Sequence, residues 1–321
     1  MTNNNKQLYL DLEAYDRVAE PHKRERASLW RTAIGLQDVD GLKVSDYLKE
    51  AAVKHMFDGV FKHAGEIRPY DISKKEWVLQ GDTVVYGRAA DIMMALRYDI
   101  QQEKDFCYKG LTTDEIINHI VDFVTLLWQN HPFREGNTRT TAVFVIKYLR
   151  SIGFRANNDL FAENSWYFRN ALVRANYRNP SKGVEPNKSF LVKFFRNLML
   201  GEQHELKNRY MLIGYNDTDN THTSTHTSTH TSTRTSTNNL KASLTENVKR
   251  LIFAIGTDEK SVKEMMEAVG LKNRPNFLEY SLTPAISDGF VTMKYPSSPR
   301  HPRQKYLLTV KGLAVYDECY R

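Results

Sequence analysis

Apolar residues recur at helical spacing through most of the first 212 positions. In residues 45–62, Tyr47, Leu48, Ala51, Met56 and Val60 form one stripe, and residues 90–104 show the same rhythm. Residues 113–129 place Ile116, Ile120, Phe123, Val124 and Leu127 on one face behind a capping signature. Residues 138–151 are apolar around most of their circumference, which predicts a central helix enclosed by the others. Helices over 163–176 and 188–210 complete the bundle.

One stretch departs from this rhythm. Trp77-Val78-Leu79 and Thr83-Val84-Val85-Tyr86 are strand-forming runs on either side of Gly81-Asp82, so residues 76–86 predict a β-hairpin. An exposed hairpin edge can pair with an extended peptide. From Asn216 to Asn239 the chain loses apolar side chains altogether, and Thr-His-Thr-Ser repeats three times from Thr221. Such a tract cannot offset its own ordering entropy, and it predicts a flexible linker over residues 213–240. His222, His226 and His230 recur every fourth position, but Thr-rich sequence forms poor helices and nothing else orders the imidazoles, so a metal site is not expected there.

Beyond the linker, residues 241–321 predict helices over 243–255, 260–269 and 275–288, then strands near 290–295 and 305–310. Three helices and a hairpin resemble a winged-helix module. The fold class is therefore mainly α: a helical bundle with one hairpin over 1–212, and a winged-helix-like domain over 241–321. Residues 291–311 carry Lys294, Arg300, Arg303, Lys305 and Lys311 and no acid, so residues 272–311 are a candidate DNA contact. A wing used only for packing fits the same residues. The module as a whole carries only +4, from 13 basic and 9 acidic residues.

Composition narrows the setting. The 321 residues carry 45 Lys and Arg against 38 Asp and Glu, a net +7, which permits nucleic-acid binding without requiring it. Two distant cysteines, Cys107 and Cys319, are expected as reduced thiols rather than a disulfide framework. The first thirty residues lack the apolar core of a signal peptide, and no uncharged apolar run reaches about 18 residues. The expectation is a cytoplasmic chain with no membrane span.

Candidate chemistry concentrates between the two most apolar helices, in Asn130-His131-Pro132-Phe133-Arg134-Glu135-Gly136-Asn137-Thr138-Arg139. Gly136 permits a tight turn or close approach to a ligand. The backbone amides that open the next helix, with the helix dipole, make an anion site. Arg139 in that first turn can clamp phosphate oxygens, Glu135 supplies a hard oxygen for Mg2+, and His131 can take and return a proton near neutral pH. Phe133 suits an anchor. Each residue alone also suits a structural role. Their joint occurrence points to phosphoryl-type transfer.

His131, Phe133, Glu135, Gly136, Asn137 and Arg139 also match the signature of the Fic (filamentation induced by cAMP) family, His-x-Phe-x-(Asp/Glu)-Gly-Asn-Gly-Arg-x-x-Arg, which the chain resembles. Residues 57–68 look like the segment that precedes that family's active site, and 76–86 like its flap. The resemblance implies a protein adenylyltransferase that uses ATP and Mg2+. His131 would be the base that deprotonates a target Ser, Thr or Tyr hydroxyl, and Glu135 would hold Mg2+. Gly136, Asn137 and neighbouring amides would form the anion hole, and Arg139 would hold the nucleotide phosphates. Phe133 would fix the loop, and Arg134 and Thr138 fall on the same nucleotide-binding turn. The flap would register the target protein by strand pairing.

The chain departs from the signature twice. Thr138 replaces the second glycine, and its hydroxyl can cap the following helix. Ala142 stands where the second arginine belongs, which removes a cation from the phosphate site. No clean copy of the family's inhibitory motif occurs: Glu246-Asn247 follows Ala242, and Ser181 to Glu185 is followed by Pro186. Control by a separate antitoxin-like protein is one expectation, and a homodimer is another. Two alternatives stay open: a DNA-binding regulator with a degenerate Fic domain, and a Fic-type transferase of another phosphate-linked group.

Overall fold

The computed structural model describes residues 65–215 and 244–320. The helix expected over 45–62, most of the segment 57–68 and the Thr/His/Ser tract from 216 lie outside the described residues. The fold is mainly helical, with a β-hairpin in the first part and a small helical module containing a second hairpin at the C-terminal end.

The hairpin pairs β1 (Ser73–Lys75) antiparallel with β2 (Thr83–Val85), Lys74 opposite Val84. It precedes α1 (Ile92–Asp105), α2 (Thr113–Asn130) and α3 (Asn137–Ser151). Then come α4 (Asp159–Glu163), α5 (Ser165–Asn176) and α6 (Ser189–Leu200). A capping box starts α2, with Thr112 and Glu115 each bonding the other's backbone. From Thr140 to Leu149 every residue of α3 is buried, so the expected central helix is the central helix. One core packs Val78, Ile120, Trp128, Val145, Phe168 and Phe194, and a second cluster joins α1 to Phe123 and Phe144.

The first strand of the hairpin is not where its β-propensity suggested. Val78 and Leu79 are fully buried in the helical core, and residues 77–79 form a 3-10 turn that carries them inward. The strand lies just before them, at 73–75. The helix expected to run to 210 stops at Leu200, because Gly201 takes a left-handed conformation at φ 70°. Ile213, expected at the start of the linker, donates its N–H to Val78 O at 3.0 Å, while Gln80 Nε2 donates to Ile213 O at 2.7 Å.

The C-terminal module contains α7 (Glu246–Ile255) and α8 (Val262–Val269), then a helical run over 274–287 with a π-turn at 278–282. β3 (Val291–Met293) pairs with β4 (Tyr306–Leu308), and an isolated bridge from Lys260 to Tyr306 ties the segment before α8 to this hairpin. Helices followed by this small sheet give a winged-helix-like arrangement. A helix missed by the sequence reading, α7's partner α9 (Val310–Tyr320), closes the module and packs on α2. Gly153 and Gly289 meet at the seam, where a Cβ on Gly153 would lie 2.2 Å from Gly289 O. Asp317 accepts the Gly110 N–H at 2.8 Å across the same seam.

Candidate active site

The loop between α2 and α3 holds the candidate residues in a closed turn. His131 ends α2 in a left-handed conformation (φ 46°), and Gly136 opens α3 with φ 86°. Positive φ suits glycine but strains a histidine, so surrounding contacts must fix His131 there. Arg68 supplies them. It is 1% exposed, and its guanidinium donates to the carbonyls of His131 (2.8 Å), Tyr70 (2.6 Å), Asn130 (3.3 Å) and Gly87. Its own N–H donates to Pro132 O at 2.8 Å.

The imidazole of His131 has a fixed tautomer. Nδ1 lies 3.0 Å from Trp128 O, and a carbonyl can only accept, so Nδ1 carries the proton and Nε2 keeps its lone pair. Tyr86, just after β2, stacks on the ring at 3.7 Å, and Trp128 meets it edge-on at 4.9 Å. Burial draws the His131 pKa down to about 3; the Trp128 carbonyl works against this, and Lys74, Arg169 and Arg68 reinforce it. The ring is a neutral base at physiological pH.

Phe133 is buried and anchors the turn. The Asn137 side chain closes the turn on itself. Its Oδ1 accepts Phe133 N–H at 2.8 Å and its Nδ2 donates to Phe133 O at 2.7 Å. Only its backbone amide is left for an anion. Thr140 is the first residue to bond back along α3, to Gly136 O at 2.9 Å, and Gly136 has no side chain with which to cap the amides before it. Those amides, at the positive end of the dipole, suit a phosphate group.

The other candidates surround this turn. Arg139 is half-buried in the first turn of α3. Arg134 lies over the Tyr70 ring at 5.4 Å, and its buried Nε has no protein partner. Glu135 projects outward, 53% exposed, with Lys74 of β1 at 3.7 Å, so its carboxylate remains accessible to a divalent cation. Thr138 accepts the Trp128 indole N–H at 3.0 Å, a role for the residue that departs from the signature. Ala142 is fully buried in the core and leaves no cation at its position.

Sequence reasoning missed the residues that mount the flap. Glu76 is 2% exposed and receives both arms of Arg169 from α5, at 2.6 and 2.7 Å. At the hairpin tip, Asp82 Oδ2 accepts from Tyr177 OH (2.6 Å), Lys182 Nζ (2.8 Å) and Asn179 Nδ2 (3.1 Å). These partners lie about ninety or more residues away, so no local pattern announces them. Of the five basic residues expected along the wing, Lys294 is paired with Glu259 at 2.5 Å and Lys311 is buried at the seam, whereas Arg300 and Arg303 are exposed.

Two family models match this chain. The Fic/DOC family matches residues 45–149, and the C-terminal domain of the filamentation-induced-by-cAMP Fic-like proteins matches residues 246–309, together just over half of the chain. Residues 45–149 form a Fic/DOC-family domain, and this homology supports a Fic-type transferase function in general. It is similar to a solved Fic family protein from Desulfovibrio desulfuricans G20, with 20% identity, 91% of this chain and 75% of that one covered, and a TM-score of 0.36. It is also similar to BepC, a VirB-translocated effector protein solved with bound AMPPNP from Bartonella tribocorum, at 16% identity, with 62% and 88% covered and a TM-score of 0.40. The N-terminal Fic domain of a Bartonella effector protein from Bartonella sp. AR 15-3 shows 17% identity, 57% and 82% coverage and a TM-score of 0.41. Values this low add no weight to the family assignment. A comparison with curated proteins found no match. Among the described residues, no helix is long and apolar enough to cross a membrane.

Proposed function

We propose that the protein is an adenylyltransferase that moves AMP from ATP to a hydroxyl of a target protein. The observation that carries this reading is the His131 tautomer, with Nδ1 held by the Trp128 carbonyl and Nε2 left as a neutral base beside the uncapped start of α3. Nε2 takes the proton of a target Ser, Thr or Tyr hydroxyl as its oxygen bonds to the α-phosphorus, and the bond to the departing pyrophosphate breaks. Backbone amides of the turn 136–138 and the Arg139 guanidinium hold the phosphate oxygens. Glu135 would hold Mg2+, which supplies charge neutralisation at those oxygens.

The hairpin supports a target bound as an added strand. Glu76 N–H bonds Asp82 O and Tyr86 N–H bonds Ile72 O, so even-numbered residues of β1 face β2. Ser73 and Lys75 therefore turn their N–H and C=O groups to the outer edge of β1. The outer edge of β2 is partly taken, because Gln129 Nε2 donates to Val85 O at 2.8 Å. The target strand adds to β1.

Mass spectrometry of the protein and a cell extract incubated with Mg2+ and each nucleoside triphosphate tests the reading. It predicts AMP on a protein hydroxyl with ATP. Transfer of UMP or another phosphate-linked group instead would keep the chemistry and overturn the donor.

A further inference from the structure

The seam between the helical domain and the C-terminal module holds a half-open cavity of about 380 Å3, apart from the loop at 131–139. Arg155 and Leu160 line it from the region after α3, Met199 from the end of α6, and Asp288, Phe290 and Lys311 from the module. Its volume is within the range of small-molecule sites, and its lining is divided between apolar side chains and polar ones, Asn157 and Asn197 among the latter.

The charge in this cavity is unbalanced. The Lys311 ammonium sits on a residue only 8% exposed, donates to Asp288 O at 2.6 Å and lies 4.1 Å from the centre of the Phe290 ring. The one carboxylate nearby, that of Asp288, is engaged by Arg155. Two cations and one carboxylate leave a net single positive charge, and a buried cation without an anionic partner is costly. Burial, then Arg155, draw the Lys311 pKa down to about 8, with Asp288 acting in the opposite direction. The amine is still mostly protonated at neutral pH.

We propose that this cavity binds a small organic monocarboxylate, its carboxylate on Lys311 and Arg155 and its apolar body against Leu160, Met199 and Phe290. One negative charge balances the site, and Leu160, Met199 and Phe290 offer a hydrocarbon or aromatic body contacts that a bare inorganic anion lacks. Because both halves of the chain line the cavity, the ligand bridges the seam and stabilises their docking.

Calorimetric titration of the full chain with benzoate and indole-3-acetate tests the proposal, with benzamide as the neutral control. At least one carboxylate is expected to bind and to raise the melting temperature, and benzamide to do neither. Lys311→Met, which keeps the volume, should weaken binding at least tenfold. Arg155→Gln, at a largely exposed side chain, should weaken it several-fold and guards against misfolding of the first variant. No binding to the wild type, equal binding of benzamide, or unchanged affinity in folded variants would overturn the proposal.

Discussion

Thr138 accepts the indole N–H of Trp128 at 3.0 Å, and the carbonyl of the same tryptophan receives Nδ1 of His131. Thr138, one of the two departures from the family signature, is thus one step removed from the base, through a side chain that is fully buried. Thr138→Gly, which restores the signature's second glycine, leaves a buried donor without an acceptor, at a cost of about 1–3 kcal/mol. We expect kcat to fall several-fold with little change in KM for ATP, and Thr138→Ser to restore it. Steady-state kinetics of the three proteins checks this.

The His131 pKa near 3 sets the pH dependence. A free imidazole titrates near 6.5, so the base in this site stays neutral where an ordinary histidine is protonated. The rate should therefore show no His131 limb between pH 5 and 7.5, and a fall centred near 6.5 would contradict the burial argument. Stability has the matching sign. Below about pH 6.5 the unfolded chain takes up a proton that the folded chain refuses, so stability falls as pH drops from there towards 3. The pH-dependent loss should be smaller in His131→Ala.

Glu76 and Arg169 carry the flap. Breaking a buried, bidentate pair leaves an uncompensated charge and costs about 3 kcal/mol. Arg169→Met should lower the denaturation midpoint accordingly and raise KM for the target more than KM for ATP. Equal effects on both would mean that the pair does not act through the flap.

Much of this architecture was legible because burial writes a period into the sequence. α2 and α3 are both core helices, and their apolar spacing and the Thr112 capping box located them within about a residue. The loop between them was legible for the opposite reason, as polar residues and glycine confined between two apolar helices. The flap was misplaced because Val78 and Leu79 have the same character in a buried turn as in a strand. Arg68, Glu76 and Arg169 act through partners distant in the chain, and only folding reveals them.

Gly153 and Gly289 fix the docking of the two halves. A methyl group on Gly153 would meet Gly289 O at 2.2 Å, and φ there is 99°. Gly153→Ala should destabilise the chain by more than about 2 kcal/mol. A chemical melt checks this, and an exposed glycine such as Gly270, whose φ is 76° and whose added Cβ would meet nothing within 4 Å, serves as the control for backbone strain alone.

The central claim is that His131 drives AMP transfer to protein. Incubating the wild type and His131→Ala with Mg2+ and ATP radiolabelled at either the α- or the γ-phosphate tests it most directly. The account predicts protein-bound label from the α-position alone, reduced about 100-fold or more in His131→Ala. Label from the γ-position, or equal α-labelling by the two proteins, would contradict it.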